Sequence, residues 1–311
     1  MKQSKSESSI ARFYSEYPFP NIAITKKAEL YQTLIYKLIY GLSRKYLDRY
    51  ENKKIKILDA GCGTGELSLG LSDGKREILG IDINRKSLEI AKIRAEKFKI
   101  DKVKFKEFNF VKEELPKNYY DFIFSIGVLH HTAEPEKNFK RLIKALKNGG
   151  YITVGIYNPY GSLKVRLIRG ILKVLAGDNF EKKIEIYRRV FYRRQLTITE
   201  KVAVADAFAN PYRRYYSFEQ LLKWFEKNNI QYLDSAPSVE LSKNIELIRL
   251  VLKNLVLNKK MSLMSIWQNV LYKHGETKKW EVSKPISFLT QLSWAIIGRG
   301  ELINIIGRKI K

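Results

Sequence analysis

A single cysteine, Cys62, in 311 residues excludes a disulfide framework, and with only three histidines beside it no cysteine-rich zinc site or other metal cluster is expected. Acidic residues are scarce: 32 Asp and Glu face 58 Lys and Arg, a net charge of +26. Such a field attracts polyanions, whether nucleic acid, anionic lipid headgroups or acidic small molecules. Lysine is also spread from end to end, so the charge equally fits a chain whose default surface residue is Lys. Long apolar runs are missing. The stretches at 245–257 and 286–297 are interrupted by Lys, Arg or Gln and fall short of the roughly 20 residues that span a bilayer. Residues 1–9 are polar and lack the apolar centre of a signal peptide, so a cytoplasmic protein is expected. What the chain does have is core material: 45% hydrophobic residues suffice for one large α/β domain with insertions, or for two small domains.

The most informative stretch is 55–68. Ile55, Ile57 and Leu58 signal a short buried strand, Gly61, Gly63 and Gly65 follow at spacing two, and Leu67, Leu69 and Leu71 open a helix. Strand, glycine turn and helix together make a corner where a ligand approaches the backbone. A dinucleotide fingerprint wants its third glycine three residues after the second. Here Glu66 stands at that place, and an acidic residue there would repel a pyrophosphate.

Before this corner, residues 13–21 combine aromatics with Pro18 and Pro20, which predicts an extended arm acting as a lid or a strap. Residues 26–50 carry apolar positions at three and four, which predicts one amphipathic packing helix. After the corner, 77–84 reads as a strand ending in Asp82, placed to accept both hydroxyls of a ribose or to cap the next helix. A helix over 87–98 and an alternating strand over 103–110 follow. Residues 120–128 form a near-continuous apolar run, the mark of a central parallel strand, and deliver Leu129, His130, His131 and Thr132 at its end. A helix over 137–147, closed by a left-handed cap at Asn148-Gly149-Gly150, leads to a fifth strand over 151–157.

This ordered series, from Asp59-Ala-Gly61-Cys62-Gly63-Thr-Gly65 through Asp82, Asn109 and the strand before His130 to 146–154, resembles class I S-adenosylmethionine-dependent methyltransferases of the small-molecule and lipid type. The resemblance implies an α/β fold: a doubly wound, seven-stranded, mostly parallel Rossmann-like sheet with helical insertions in the C-terminal half. It implies S-adenosylmethionine as cofactor. Asp59, Gly61, Cys62, Gly63 and Gly65 would form the loop beside its methionine part, Asp82 and Ile83 would hold the ribose, Asn109 and Phe110 the adenine, and Ser125, Gly127 and Leu129 the methyl end. Asn109 departs from the Asp the family often carries, but its amide can still accept from the adenine amine or donate to a ring nitrogen.

The remainder divides the chain into an arm and helix (1–50), a cofactor-binding core (51–160), a basic insertion covering substrate (161–229), and the last two strands with a helical insertion between them (230–311). Within the third part, 162–176 is a basic amphipathic helix, able to lie on an anionic membrane, to clamp an acidic substrate, or simply to cover the surface. Tyr17, Asp206, Asn210, Arg213 and Tyr216 are the candidate substrate contacts. If the acceptor is a hydroxyl or phenol it needs a base, for which His131 and His130 are the candidates; a carbon, amine or carboxylate acceptor needs none. The Asp/Asn-Pro-Pro-Tyr motif of base amino-methyltransferases is missing after the fourth strand, and Cys62 is not at the methyl end as five-position cytosine methylation requires. The expected partner is therefore a small-molecule or lipid-like acceptor, with peripheral contact to an anionic membrane as a further option and RNA as the alternative prompted by charge; a non-catalytic module that keeps the cofactor fold is the third reading, and the intact Asp59, glycine and Asp82 set argues against it.

Overall fold

The computed structural model describes residues 13–14, 16–19, 23–50, 53–210, 213–239, 289–292, 294 and 301–311. Seven strands form one sheet: β1 (Ile55–Ala60), β2 (Arg76–Asp82), β3 (Val103–Glu107), β4 (Tyr120–Ile126), β5 (Leu146–Tyr157), β6 (Ile230–Ala236) and β7 (Leu302–Lys309), in the order β3-β2-β1-β4-β5-β7-β6. The pairs from β3 to β5 are parallel, and β7 runs antiparallel between β5 and β6, as expected for a closing last strand. Phe122, Ile123 and Phe124 of β4 are all fully buried because both faces of the sheet are covered, which is why that strand reads as a near-continuous apolar run.

On one face lies helix α2 (Leu34–Leu47), with Ile39, Leu42 and Leu47 packed among Ile57, Phe122 and Phe124. The single helix expected over 26–50 is broken. A short α1 (Lys27–Leu30) stops before Thr33, whose backbone is extended and whose hydroxyl accepts from the Tyr36 N–H to start α2 afresh. Helices α3 (Glu66–Gly70) and α4 (Arg85–Lys97) complete the β1–β3 half. The opposite face is covered by α5 (Pro135–Ala145) and, after the insertion, α9 (Phe218–Lys227). The glycine cap expected after α5 is replaced by a strand start. Asn118 and Tyr119 N–H groups capture the last carbonyls of the helix, those of Lys144 and Ala145, and β5 begins at once with an irregular stretch before Tyr151 pairs with Phe122.

Between β5 and α9 lies a helical cover made of α6 (Leu163–Ala176), α7 (Phe180–Tyr187) and α8 (Ile198–Val204), the last continuing as a π-helical turn over Ala205–Ala209. It has its own small core of Leu172, Ile184, Val202 and Phe208, completed by Phe13 and Tyr17 of the N-terminal arm. The arm is not extended there: Phe13, Tyr14 and Glu16 are helical, and the Tyr17 N–H donates to the Phe13 carbonyl. Most of the helical insertion expected over 239–299 lies outside the described residues. Of it, Trp294 is buried in the main core, and Gln291 accepts from Asn158 Nδ2 and the Phe218 N–H.

Candidate active site

The chain winds from β1 outward to β3 and then crosses back to β4, so the loops after β1 and β4 diverge at their C-terminal ends. Open α/β sheets bind ligands at such a divergence. Here it opens a cavity of about 730 Å³, inside the roughly 300–1,000 Å³ typical of small-molecule sites. Its floor is the glycine loop. Gly61 has φ +83°, and a Cβ added to it would sit 2.1 Å from Val128 Cγ2, so only glycine lets β1 turn beneath the β4 loop. Gly127, at φ +78°, also lines the cavity, and an added Cβ there would meet no atom within 4 Å and would point into open space.

Asp82 ends β2 at the cavity wall. Its Oδ2 accepts from the Gly63 N–H (2.9 Å) and its Oδ1 from the Asn84 N–H (2.8 Å), which orients the carboxylate and leaves lone pairs for a ligand diol. Burial raises its pKa, while those backbone donors oppose the shift. Ile83, Asn109 and Phe110 line the same end. The Asn109 side-chain oxygen Oδ1 accepts from the Val111 N–H (3.0 Å), so its amide NH₂ is the group left for a ligand.

Five of the residues expected at the cofactor lie behind the cavity wall rather than on it: Asp59, Cys62, Gly65, Ser125 and Leu129. Asp59 sits under the loop and accepts from Ser68 Oγ at 2.6 Å. Burial pushes the Asp59 carboxyl up to about 7, against the pull of that hydroxyl. Cys62 is a buried thiol, and burial raises its pKa well above the ordinary value. Glu66, the acid at the place where a dinucleotide fingerprint has glycine, turns inward. It accepts from Thr64 Oγ1 and pairs with the buried Arg94 at 2.7 Å, clamping α4 to the glycine loop.

At the other end of the cavity three segments far apart in sequence meet. Tyr14 of the arm donates to Asp206 Oδ1 (2.8 Å) and lies 3.2 Å from His131 Nε2; Tyr157, the last residue of β5, donates to Asp206 Oδ2 (2.8 Å). Asn210 Nδ2 donates to the Tyr14 oxygen at 3.0 Å. Burial alone would raise the Asp206 carboxyl, but Arg213, His131 and the two phenols outweigh it and hold its pKa below the ordinary value. Burial and the adjacent carboxylate push both phenols well above theirs. Tyr14, Tyr157, His131 and Asp206 line the cavity. His130 lies behind His131, with the two Nε2 atoms 3.0 Å apart, and burial, His131 and Arg213 lower its pKa far enough to keep it neutral.

The remaining candidates support this cluster from outside the cavity wall. The Arg213 guanidinium lies 3.4 Å over the Tyr157 ring and pairs with Glu301, Asn210 is buried behind Tyr14, and Tyr216 packs on Trp224. Tyr17 points into the cover's core and donates to Glu181. Sequence reasoning does not single out Tyr14 or Tyr157: Tyr14 carries a signal in belonging to the aromatic arm, whereas Tyr157 looks like any strand terminus.

Curated relatives include phosphoethanolamine N-methyltransferase 2 of Caenorhabditis elegans, 29% identical over 156 residues that cover 50% of this chain and 32% of the relative. Another is a ubiquinone biosynthesis O-methyltransferase of Leptothrix cholodnii, 27% identical over 132 residues, or 41% and 56%. The chain thus spans about half, or less, of the length of these relatives. Among solved structures, a putative sarcosine dimethylglycine methyltransferase of Galdieria sulphuraria shares the fold at TM-score 0.51 and 14% identity, covering 97% of this chain and 98% of that one. A family model described as a methyltransferase domain matches residues 51–232, more than half of the chain, and the protein therefore belongs to the class I S-adenosylmethionine-dependent methyltransferases.

Proposed function

We propose that this protein transfers a methyl group from S-adenosylmethionine to a small-molecule or lipid-like acceptor. One observation carries the reading: a single cavity joins Asp82 and Asn109 at one end to the Tyr14–His131–Asp206 cluster at the other. The residues present suit the cofactor. Asp82 keeps acceptor capacity for a ribose diol, Phe108 and Phe110 give an apolar slot for a flat base, and the side-chain-free space over Gly127 leaves room between the two ends. When bound, the cofactor supplies an electrophilic methyl group on a sulfonium.

The protein's part is alignment in a dry space. Gly61 and Gly63 bring backbone rather than side chains to the wall, while Phe19, Leu38 and Val128 exclude water. His131 is the ring that reaches the cavity, so it is the group to take a proton from a hydroxyl or phenol acceptor. Its neighbour His130 stays uncharged, and the ionised Asp206 steadies Tyr14 against His131 and favours the protonated ring once it forms. An amine acceptor would use the same carboxylate and phenols for orientation alone. The relatives support this acceptor class, since one is named for an N-acceptor and the other for an O-acceptor.

The reading also takes the protein to be cytoplasmic and in peripheral contact with an anionic membrane, as its +26 charge favours. The same charge supports RNA as the rival acceptor. Incubation with methyl-labelled S-adenosylmethionine and separated cell fractions distinguishes them. Label in the lipid or small-molecule fraction supports the proposal, and label confined to RNA overturns it.

A further inference from the structure

Helix α6 faces the wrong way for a helix that only packs on protein. Its inner side, with Val165, Ile168 and Leu172, joins the core of the cover. Its outer side presents Leu163, Leu167, Ile171 and Val174, which are 45%, 62%, 59% and 85% exposed. At 3.6 residues per turn these four positions, three or four apart, form one stripe along the helix, with Lys164 on one border and Arg166 and Lys173 on the other. A helix whose outer face meets only water carries polar residues there. The apolar surplus is local: eight of the sixteen exposed large apolar side chains among the described residues fall between 163 and 198.

An apolar stripe bordered by cations is the pattern of a helix lying in a lipid headgroup layer. A second copy of the chain fits less well, because a two-fold contact through this stripe would bring the flanking Lys and Arg side chains against their own counterparts. No helix among the described residues is long and apolar enough to cross a membrane, so the contact is a surface one. The stripe is also tied to the cavity. Arg169, on the same helix, donates to the Ala207 (2.9 Å) and Asn210 (2.7 Å) carbonyls, and so holds the turn that carries Asp206.

We propose that the outer face of α6 docks this protein on an anionic lipid bilayer, and that the methyl acceptor enters the cavity from that surface. The second half rests on the methyl-transfer reading above. The test is flotation of the full chain with vesicles of phosphatidylcholine alone or mixed with phosphatidylglycerol, at low and high salt, for the wild type and a Leu167→Ser/Ile171→Ser variant. Both positions are exposed and neither lines the cavity, so folding and S-adenosylhomocysteine binding by the variant are expected to match the wild type. The wild type should float with the mixed vesicles only, less so as salt rises, and the variant should bind them at least roughly tenfold more weakly. Equal flotation of wild type and variant, no flotation with the anionic vesicles, or a solution dimer that the variant dissociates would each overturn the docking face. Normal flotation with no cofactor binding by the wild type would uphold the face and remove only the acceptor route.

Discussion

Gly61→Ala tests the floor of the cavity in a way that separates two physical effects. A Cβ at φ +83° costs about 1–2 kcal/mol for left-handed backbone. The new atom would also lie 2.1 Å from Val128 Cγ2, and relieving that contact requires Val128 to move, an overpacking cost of about 1–3 kcal/mol. Together these predict destabilisation of about 2–5 kcal/mol, read as a lowered urea midpoint at unchanged slope. Val128→Ala in the same chain should recover the packing part but not the backbone part, a coupling of about 1–3 kcal/mol in a double-mutant cycle. Gly127→Ala is the counterpart. Its Cβ meets nothing within 4 Å, so it should cost only the backbone part in stability yet weaken S-adenosylhomocysteine binding by occupying the cavity. A Gly61→Ala cost below about 0.5 kcal/mol would mean that neither the left-handed backbone nor the Val128 contact restricts position 61 to glycine, and strict additivity with Val128→Ala would rule out the contact.

Asp59→Asn should change how stability varies with pH. The folded carboxyl titrates near 7, above the unfolded value of about 3.9, so the folded state holds the extra proton between them and wild-type stability falls as pH rises through that window. The drop amounts to about 4 kcal/mol at most, the variant lacks it, and a wild-type-to-variant difference constant with pH would exclude it. Asp206 works in the opposite sense. Its folded pKa is lowered, so its stabilisation is present above about pH 3.9 and lost as pH falls through the folded value; the cost of Asp206→Asn in urea denaturation should shrink there. Tyr14→Phe removes one donor to that buried carboxylate and the contact with His131, and should lower kcat roughly 10- to 100-fold with cofactor affinity unchanged. An unaltered kcat would take Tyr14 out of the acceptor end.

The sheet was largely legible because its signals are local. Glycines at spacing two, an acid closing β2 and an apolar run at β4 each state their role within about ten residues, and the chain order did the rest. The acceptor end was not legible in the same way. Tyr14, His131, Tyr157 and Asp206 are brought together by folding across nearly 200 positions, and no spacing rule relates them. Within the arm, Tyr14 and Tyr17 look equivalent in sequence; one helical turn sends the first to Asp206 and the second into the cover's core. For Glu66 and Asp59 the limit is related: position in a motif does not say which side of the loop a carboxylate faces, and Arg94 and Ser68 decide it. The outward apolar side of α6 was visible as an amphipathic pattern, but only packing shows that the inner side is already filled.

The most direct test of the cofactor site is calorimetric titration of S-adenosylhomocysteine into the wild type and an Asp82→Asn variant. The wild type is expected to bind saturably one to one in the micromolar range, and the variant, which loses a charged acceptor for the ribose, at least roughly tenfold more weakly. A folded wild type that gives no binding heat, or a variant that binds as tightly, would contradict a cofactor site at Asp82.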